Sequence, residues 1–506
     1  MIQTESDGRA FGGRIVVSER AIISDGVIIA TYGGAIEIGA RAYVGPYCVL
    51  YGHGGLVIGR NTMIGGHTLI VPANHGFARI DVPRMRGISA SGVVFVAFIA
   101  RRAYPISVSL RTWGGLCSAL VYGFCMSGTT IHGDCSARFA AVRDAFAANF
   151  EAGREVGAAF AATLDGDLVV DLWGGYADAR RTRPWQRDTI VNVFSTTKAM
   201  TALCAHILVE RGHLDLDAPI ARYWPEFAQG GKDRIPVRAL LNHTAGLAAI
   251  QRPLPVEALY DWPRMVDALA ADSPAWEPGT RSGYHALTFG YLIGEIIRRI
   301  SAKSPGAFFR DAVARPLRAD FHIGLPTAED ERVAEMVPPS AAEAAAAGAV
   351  VDPESLLGKL MRNPPLTPDL ANTPAWRRAE IPAANGHGNA RSIARVMAAL
   401  ACGGALDGVR LLGADTLARA IEEQTYGTDL VLGFPIRWGL GFMLSSAELP
   451  LGPNPHTFGH GGWGGSLGFA DSDARVSWSY VMNRMSPGTT GDTRGFAPVM
   501  ALYGCL

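Results

Sequence analysis

The sequence predicts an α/β (α+β) domain over residues 135–506, an antiparallel sheet with flanking helices and an all-helical insertion, preceded by a short parallel β-helix. Three observations carry this. An aliphatic residue returns every sixth position between Ile38 and Ile70. A hairpin pattern near residue 160 and a group of strand-like runs after residue 438 enclose a long helical stretch. At the entry to that stretch stands Ser195-Thr196-Thr197-Lys198, an S-x-x-K tetrad placed to open a helix.

The first 92 residues carry the repeat. Ile38-Gly39, Val44-Gly45 and Leu50-Tyr51 are six residues apart, and after a slip of two Ile58-Gly59, Ile64-Gly65 and Ile70-Val71 resume the period. One short strand and one turn per hexad is the pattern of a parallel β-helix, with the aliphatics stacked inward. About two coils are legible this way. The segment resembles the left-handed β-helix of hexapeptide-repeat acyltransferases, a likeness read over residues 16–92. It extends through Pro72-Ala73-Asn74-His75-Gly76-Phe77, and His75 is the position to which that family's general base would map. No hexads follow residue 92, so the segment reads as a fragment. Residues 93–134 resemble neither neighbour and are read as a linker. Within them residues 112–132 hold no Asp, Glu, Lys or Arg, but their glycines and hydroxyl residues suit a buried or interfacial segment better than the roughly 20 apolar residues of a spanning helix.

From residue 135 the elements follow in order. Residues 139–150 show helical apolar spacing. Residues 158–164 and 168–173 read as strands joined by an Asp165-Gly166 turn. Residues 196–425 are mostly helical with Pro- and Gly-rich loops, and Ala344 to Ala347 extend a helix or loop. Residues 438–444, 458–460, 469–470 and 477–483 return to strand.

In the tetrad, Lys198 sits one turn from Ser195 on the same helix face. A serine hydroxyl needs an adjacent base, and a desolvated lysine at a positive helix end meets that need. Downstream come Tyr284-His285-Ala286 and then His460-Gly461-Gly462-Trp463-Gly464-Gly465-Ser466. Order and spacing resemble the S-x-x-K, Y-x-N/S and K-T-G motifs of the serine β-lactamase and penicillin-binding-protein superfamily. Within it, Asp171-Leu172-Trp173-Gly174-Gly175, Leu240-Leu241-Asn242-His243-Thr244-Ala245-Gly246-Leu247, Trp276-Glu277-Pro278-Gly279 and Tyr480-Val481-Met482-Asn483-Arg484-Met485 resemble the family VIII carboxylesterases. The resemblance implies the β-lactamase-like fold and a Ser195 nucleophile. Lys198 and Tyr284 share the base and acid work, with the lysine ammonium lowering the tyrosine's pKa. It also implies an oxyanion donor from the last motif. With His460-Gly461-Gly462 set on K-T-G, the donor is the Trp463 N–H. With Trp463-Gly464-Gly465 set there, it is the Ser466 N–H, and this register is preferred because a tryptophan there is typical of the esterases. Ser466→Ala is then expected to be mild. Neither register supplies the K-T-G lysine, and Ala286 stands where the second motif has Asn or Ser.

Gly464-Gly465-Ser466-Leu467-Gly468 also matches the G-x-S-x-G nucleophile elbow, but no histidine follows His460 to serve as its base. His243 reads as a structural residue at a helix end, and His285 and His387 carry no motif support.

Lys+Arg and Asp+Glu are 46 each, so no polyanionic partner is implied. Seven scattered cysteines without C-x-x-C speak against a disulfide framework or a cysteine zinc site, and the acidic N-terminus is not a secretory signal. The reading is a cytoplasmic serine carboxylesterase for short-chain acyl esters, needing no metal or cofactor, with a small-molecule ester as its partner and no nucleic acid or membrane. Slow attack on a reactive β-lactam such as a cephalosporin is chemically open to the same serine. The alternatives are an acyl-CoA-dependent acetyltransferase using His75 and a catalytically dead penicillin-binding-like protein.

Overall fold

A computed structural model describes residues 129–346, 351–489 and 491–506, and before them the segments 14–23, 28–30, 35–44, 49–51, 56–58, 63–64, 69–70, 108–112 and 115–119. The chain divides into two compact units, Met1–Met126 and Ser127–Leu506.

In the first unit, nine short strands enter three parallel sheets in rotation. Arg14–Val17, Ala35–Ile38 and Leu56–Ile58 form one; Ile22–Ile23, Tyr43–Val44 and Met63–Ile64 the second; Ile28–Ala30, Val49–Tyr51 and Leu69–Ile70 the third. The register aligns Val17, Ile38 and Ile58, then Ile23, Val44 and Ile64, then Ile29, Leu50 and Ile70. The coils therefore number three among the described residues, against the two read from the repeat. Val17, Ile23 and Ile29 already carry the six-residue period, but Ser18, Ser24 and Ala30 replace the glycine and tyrosine that punctuate later hexads. Ile36, Ile38, Val44, Leu50, Leu56 and Ile58 are buried between the layers. Two antiparallel strands, Val108–Thr112 and Gly115–Ala119, follow, the second of them inside the uncharged stretch. His75 and residues 71–107 lie outside the described residues. No described helix is long and apolar enough to cross a membrane.

The second unit is built on a nine-stranded antiparallel sheet. Its order is Ile131–Cys135, Asp167–Gly175, Gly157–Leu164, Val476–Met482, Leu467–Asp471, Thr457–Gly461, Met443–Leu444, Pro435–Trp438 and Thr425–Thr428. The hairpin turn places Asp165 (φ 52°) and Gly166 (φ 91°) in the left-handed region, as a two-residue D-G connection demands. The sheet starts at Ile131, ahead of the boundary expected at residue 135. The run expected as one strand over 438–444 is two strands, broken where Gly439 and Gly441 turn the chain. Thr425–Thr428, expected as the end of the helical region, is the sheet's last strand.

Val142, Phe146 and Phe150 bury the inner face of the helix Ala140–Glu151, with Phe139 buried just before it, and the helix packs on the C-terminal helix Thr493–Tyr503. Ala390–Ala401 lies across the central strands, capped by Asn389, whose side chain accepts from Ser392 N at 2.9 Å. Thr197–Glu210 is buried at every position from Thr197 to Leu208, which suits a helix apolar all round. Its neighbour Thr288–Ser301 closes over the segment around Ala383. A Cβ at Gly290 would lie 2.6 Å from Ala383 N, so only glycine allows that approach.

Candidate active site

Ser195 occupies the turn just before the central helix, which begins at Thr197 rather than at Ser195. Thr196, Thr197 and Lys198 donate their N–H groups to Val193, Phe194 and Ser195, winding a tight entry. Phe194 is held at φ 42°, strained for a residue with a large side chain. Its ring is fixed between Trp376 and Trp463, with centroids 6.3 and 5.3 Å away. Packing thus holds in place the turn that presents Ser195.

Lys198 is fully buried. Its Nζ donates to Ser195 Oγ at 3.2 Å, to Ala286 O at 2.6 Å and to Ala383 O at 3.1 Å. It sits 4.7 Å from the centre of the Tyr284 ring. No carboxylate is among these partners, and burial drives its pKa well below the usual lysine value. Ala286, which replaces the motif's Asn or Ser, still serves Lys198 through its backbone carbonyl.

Tyr284 is buried and hydrogen-bonded to Ser195. Burial raises its pKa; the bond to Ser195 opposes this and the charge of Asp429 adds to it. The expected acidification of the tyrosine by an ammonium runs against these directions, since burial disfavours the charged form of both groups. Asp429 fixes the Tyr284 segment, its Oδ1 accepting from the N–H groups of Tyr284, Val431 and Leu432 at 2.9, 2.9 and 3.1 Å. Trp438 stacks on the Tyr284 ring at 5.8 Å, and His243 packs against both rings. Sequence reading missed Asp429 and Trp438.

The last motif requires a correction of register. His460-Gly461 belongs to the strand Thr457–Gly461, paired with Gly468 and Leu467, whereas Trp463-Gly464-Gly465 forms the connection to the next strand, closed by Gly462 N to Ser466 O at 2.7 Å. The preferred alignment put the tryptophan triplet on the strand; the geometry favours the other, with the Trp463 N–H as candidate donor. A Cβ at Gly462 would lie 2.3 Å from Val193 O, so glycine lets this strand end meet the Ser195 turn.

Ser466 is also more than a backbone donor. Its hydroxyl donates to Val193 O at 2.7 Å and lies 3.0 Å from Thr196 Oγ1, bracing both sides of the Ser195 turn. It sits between two antiparallel strands, so it is no nucleophile elbow. Ser466→Ala is therefore expected to cost about 1–2 kcal/mol, read as a lower urea midpoint at unchanged m-value.

His206, His243, His285, His387 and His460 are all buried. Burial lowers the pKa of each, to about 4 for His206 and His285, to about 3 for His387 and His460, and well down for His243. Each is neutral in the folded protein, while the unfolded chain binds its proton near pH 6.5. The stability from neutral burial is whole above that pH and is lost as pH falls towards 4 and 3, each group contributing about 1.4 kcal/mol per pH unit in its window. The urea midpoint is expected to drop steeply between pH 6 and 4.5. A flat midpoint there would contradict neutral burial. Among the described residues no group of three or more His, Cys, Asp or Glu is arranged to hold a metal ion.

Comparison with known proteins agrees with this geometry. Residues 142–497 match the β-lactamase family. The chain is 37 % identical to the esterase/beta-lactamase LipL of Mycobacterium tuberculosis over 388 residues, 74 % of this chain and 88 % of the relative. The crystal structure of a family VIII carboxylesterase superposes with a TM-score of 0.70 at 47 % identity, covering 74 % of this chain and all of that one. EstA from Arthrobacter nitroguajacolicus gives 0.67 at 32 % identity, covering 74 % of this chain and 97 % of its own.

Proposed function

The chain belongs to the β-lactamase family, and from that premise we propose that this serine hydrolase is a carboxylesterase acting on short-chain acyl esters through a Ser195 acyl-enzyme. The observation that carries the reading is the buried Lys198 amine, held by two carbonyls with no carboxylate partner, 3.2 Å from Ser195 Oγ. The esterase names of LipL, EstA and the family VIII carboxylesterase support the substrate class.

Ser195 Oγ bonds to the acyl carbon while its proton passes to Lys198, and the carbonyl electrons move to oxygen. The N–H groups of Ser195 and Trp463 receive that oxyanion. Collapse re-forms the carbonyl and breaks the ester C–O bond, and Tyr284 delivers the proton from Lys198 to the departing alkoxide. Water then attacks the acyl carbon in the reverse sense, releasing the acid and restoring Ser195. His460, neutral at the K-T-G lysine position, gives no cation to a lactam carboxylate, so esters are expected to be turned over faster than β-lactams. We also place it in the cytoplasm, where thiols such as those of Cys135, Cys204, Cys402 and Cys505 stay reduced.

Hydrolysis of p-nitrophenyl acetate and butyrate, with nitrocefin alongside, tests the reading. A fluorophosphonate should label the Ser195 peptide stoichiometrically and abolish turnover. A folded protein that turns over no ester would overturn it.

A further inference from the structure

Arg494 lies far from Ser195 in sequence, in the first turn of the C-terminal helix Thr493–Tyr503, and is 5 % exposed. A buried guanidinium is costly unless its donors are matched. Here they are. Nε donates to Asp492 Oδ1 and Oδ2 at 3.1 and 3.0 Å. Nη1 donates to Arg154 O at 3.1 Å, Glu155 Oε2 at 3.1 Å and Arg484 O at 2.9 Å. Nη2 donates to Asp492 Oδ2 at 2.6 Å and to Gly464 O at 3.0 Å. Glu155 is fully buried and also accepts from the Tyr480 hydroxyl.

The last of these contacts reaches the site. Gly464 follows Trp463 in the connection after Thr457–Gly461. That connection is also held by Gly462 N donating to Ser466 O at 2.7 Å, Gly464 N to Gly488 O at 3.0 Å, Ser486 N to Gly464 O at 2.8 Å and Gly465 N to Gly462 O at 3.1 Å, and by the Trp463 ring against Phe194. Its left-handed glycines, Gly464 at φ 86° and Gly465 at φ 128°, give it little stiffness of its own. The Arg494–Asp492 pair lies directly beneath, since a Cβ at Gly465 would come 2.8 Å from Asp492 Oδ2 and 3.0 Å from Arg494 Nη2. A point charge would satisfy Glu155 and Asp492. Reaching two carboxylates and three segments' carbonyls at once takes the planar fork of arginine.

We propose that Arg494 is a positioning residue for ester hydrolysis, its guanidinium fixing the Gly464 carbonyl and so aiming the neighbouring Trp463 N–H at the oxyanion. The proposal rests on the esterase reading above. A donor that is misaimed loses interaction in the transition state and little in the ground state, so the effect falls on kcat rather than KM.

The test is Arg494→Lys, which keeps the charge facing Glu155 and Asp492 but has one nitrogen in place of three. With p-nitrophenyl acetate, kcat is expected to fall about 10- to 100-fold with KM within about two-fold, measured on protein shown to be folded by circular dichroism. A purely structural arginine would lower the thermal midpoint and leave kcat of the folded enzyme intact. A folded Arg494→Lys with wild-type kcat overturns the proposal. Should that variant not fold, Asp492→Asn removes the carboxylate that orients the fork and leaves the arginine, and wild-type kcat there overturns it equally. Ser195→Ala, run in parallel, separates the two levels. If Ser195→Ala stays active, the esterase reading itself fails, whereas an inactive Ser195→Ala beside a fully active Arg494→Lys defeats only the positioning role.

Discussion

Ser195→Ala is expected to reduce p-nitrophenyl acetate hydrolysis by about 10⁴- to 10⁶-fold, the scale on which loss of an activated serine nucleophile is felt. None of the described serine or threonine hydroxyls beside it is placed to replace it. Thr196 and Ser466 point their oxygens at each other, and Thr197 Oγ1 donates to Phe194 O at 2.6 Å and accepts from Gly386 N at 2.9 Å. The variant should fold as the wild type does. Lys198 keeps its bonds to Ala286 and Ala383, and the Phe194 turn is held by aromatic packing that the serine does not touch. The informative result is a lost turnover at an unchanged urea midpoint. An active Ser195→Ala together with an inactive Ser466→Ala would mean that the chain uses the G-x-S-x-G serine and that the site is misassigned.

The parts of this site that could be read from sequence are those set by short-range spacing. Ser195 and Lys198 lie one helical turn apart, so their meeting follows from helix geometry alone. The Asp165-Gly166 hairpin is legible for the same reason. What anchors Lys198 is not local: the carbonyls of Ala286 and Ala383 come from 88 and 185 residues away, and a carbonyl carries no mark of residue type. Asp429, just after the strand Thr425–Thr428, and Trp438, at the end of Pro435–Trp438, reach Tyr284 from the far side of the sheet order, and neither lies in a recognisable motif. The register of His460-Gly461-Gly462-Trp463-Gly464-Gly465 was ambiguous because the glycine pair repeats every three residues. Only strand pairing, with His460 opposite Gly468, separates the two settings. The expectation of an acidified tyrosine rests on a lysine being near, and sequence does not show that both groups are dry. Burial reverses the inference, since it disfavours the charged form of each.

That reversal sets the second large effect. Lys198→Met is expected to lower kcat/KM by about 10³-fold, within the range by which a positioned general base accelerates a reaction. The accompanying pH profile carries more information than the loss itself. Lys198 must be neutral to take the serine proton, and burial holds its pKa well below the usual lysine value. As pH rises through that depressed value the neutral fraction grows, so wild-type kcat/KM should climb on a single limb and level off well short of pH 10. No descending limb is expected below pH 10, because Tyr284, with its pKa raised by burial, keeps the proton it must give the leaving alkoxide. The histidines around the pair do not confuse the assignment: His285 titrates near 4 and His460 near 3, and His243 lies well below its usual value. The ascending limb should therefore vanish in Lys198→Met, leaving a slow and pH-independent residue of activity. A limb that survives the substitution would assign the base elsewhere. A wild-type limb centred near 10 would show the lysine to be solvated and charged, and the argument from burial would fail with it.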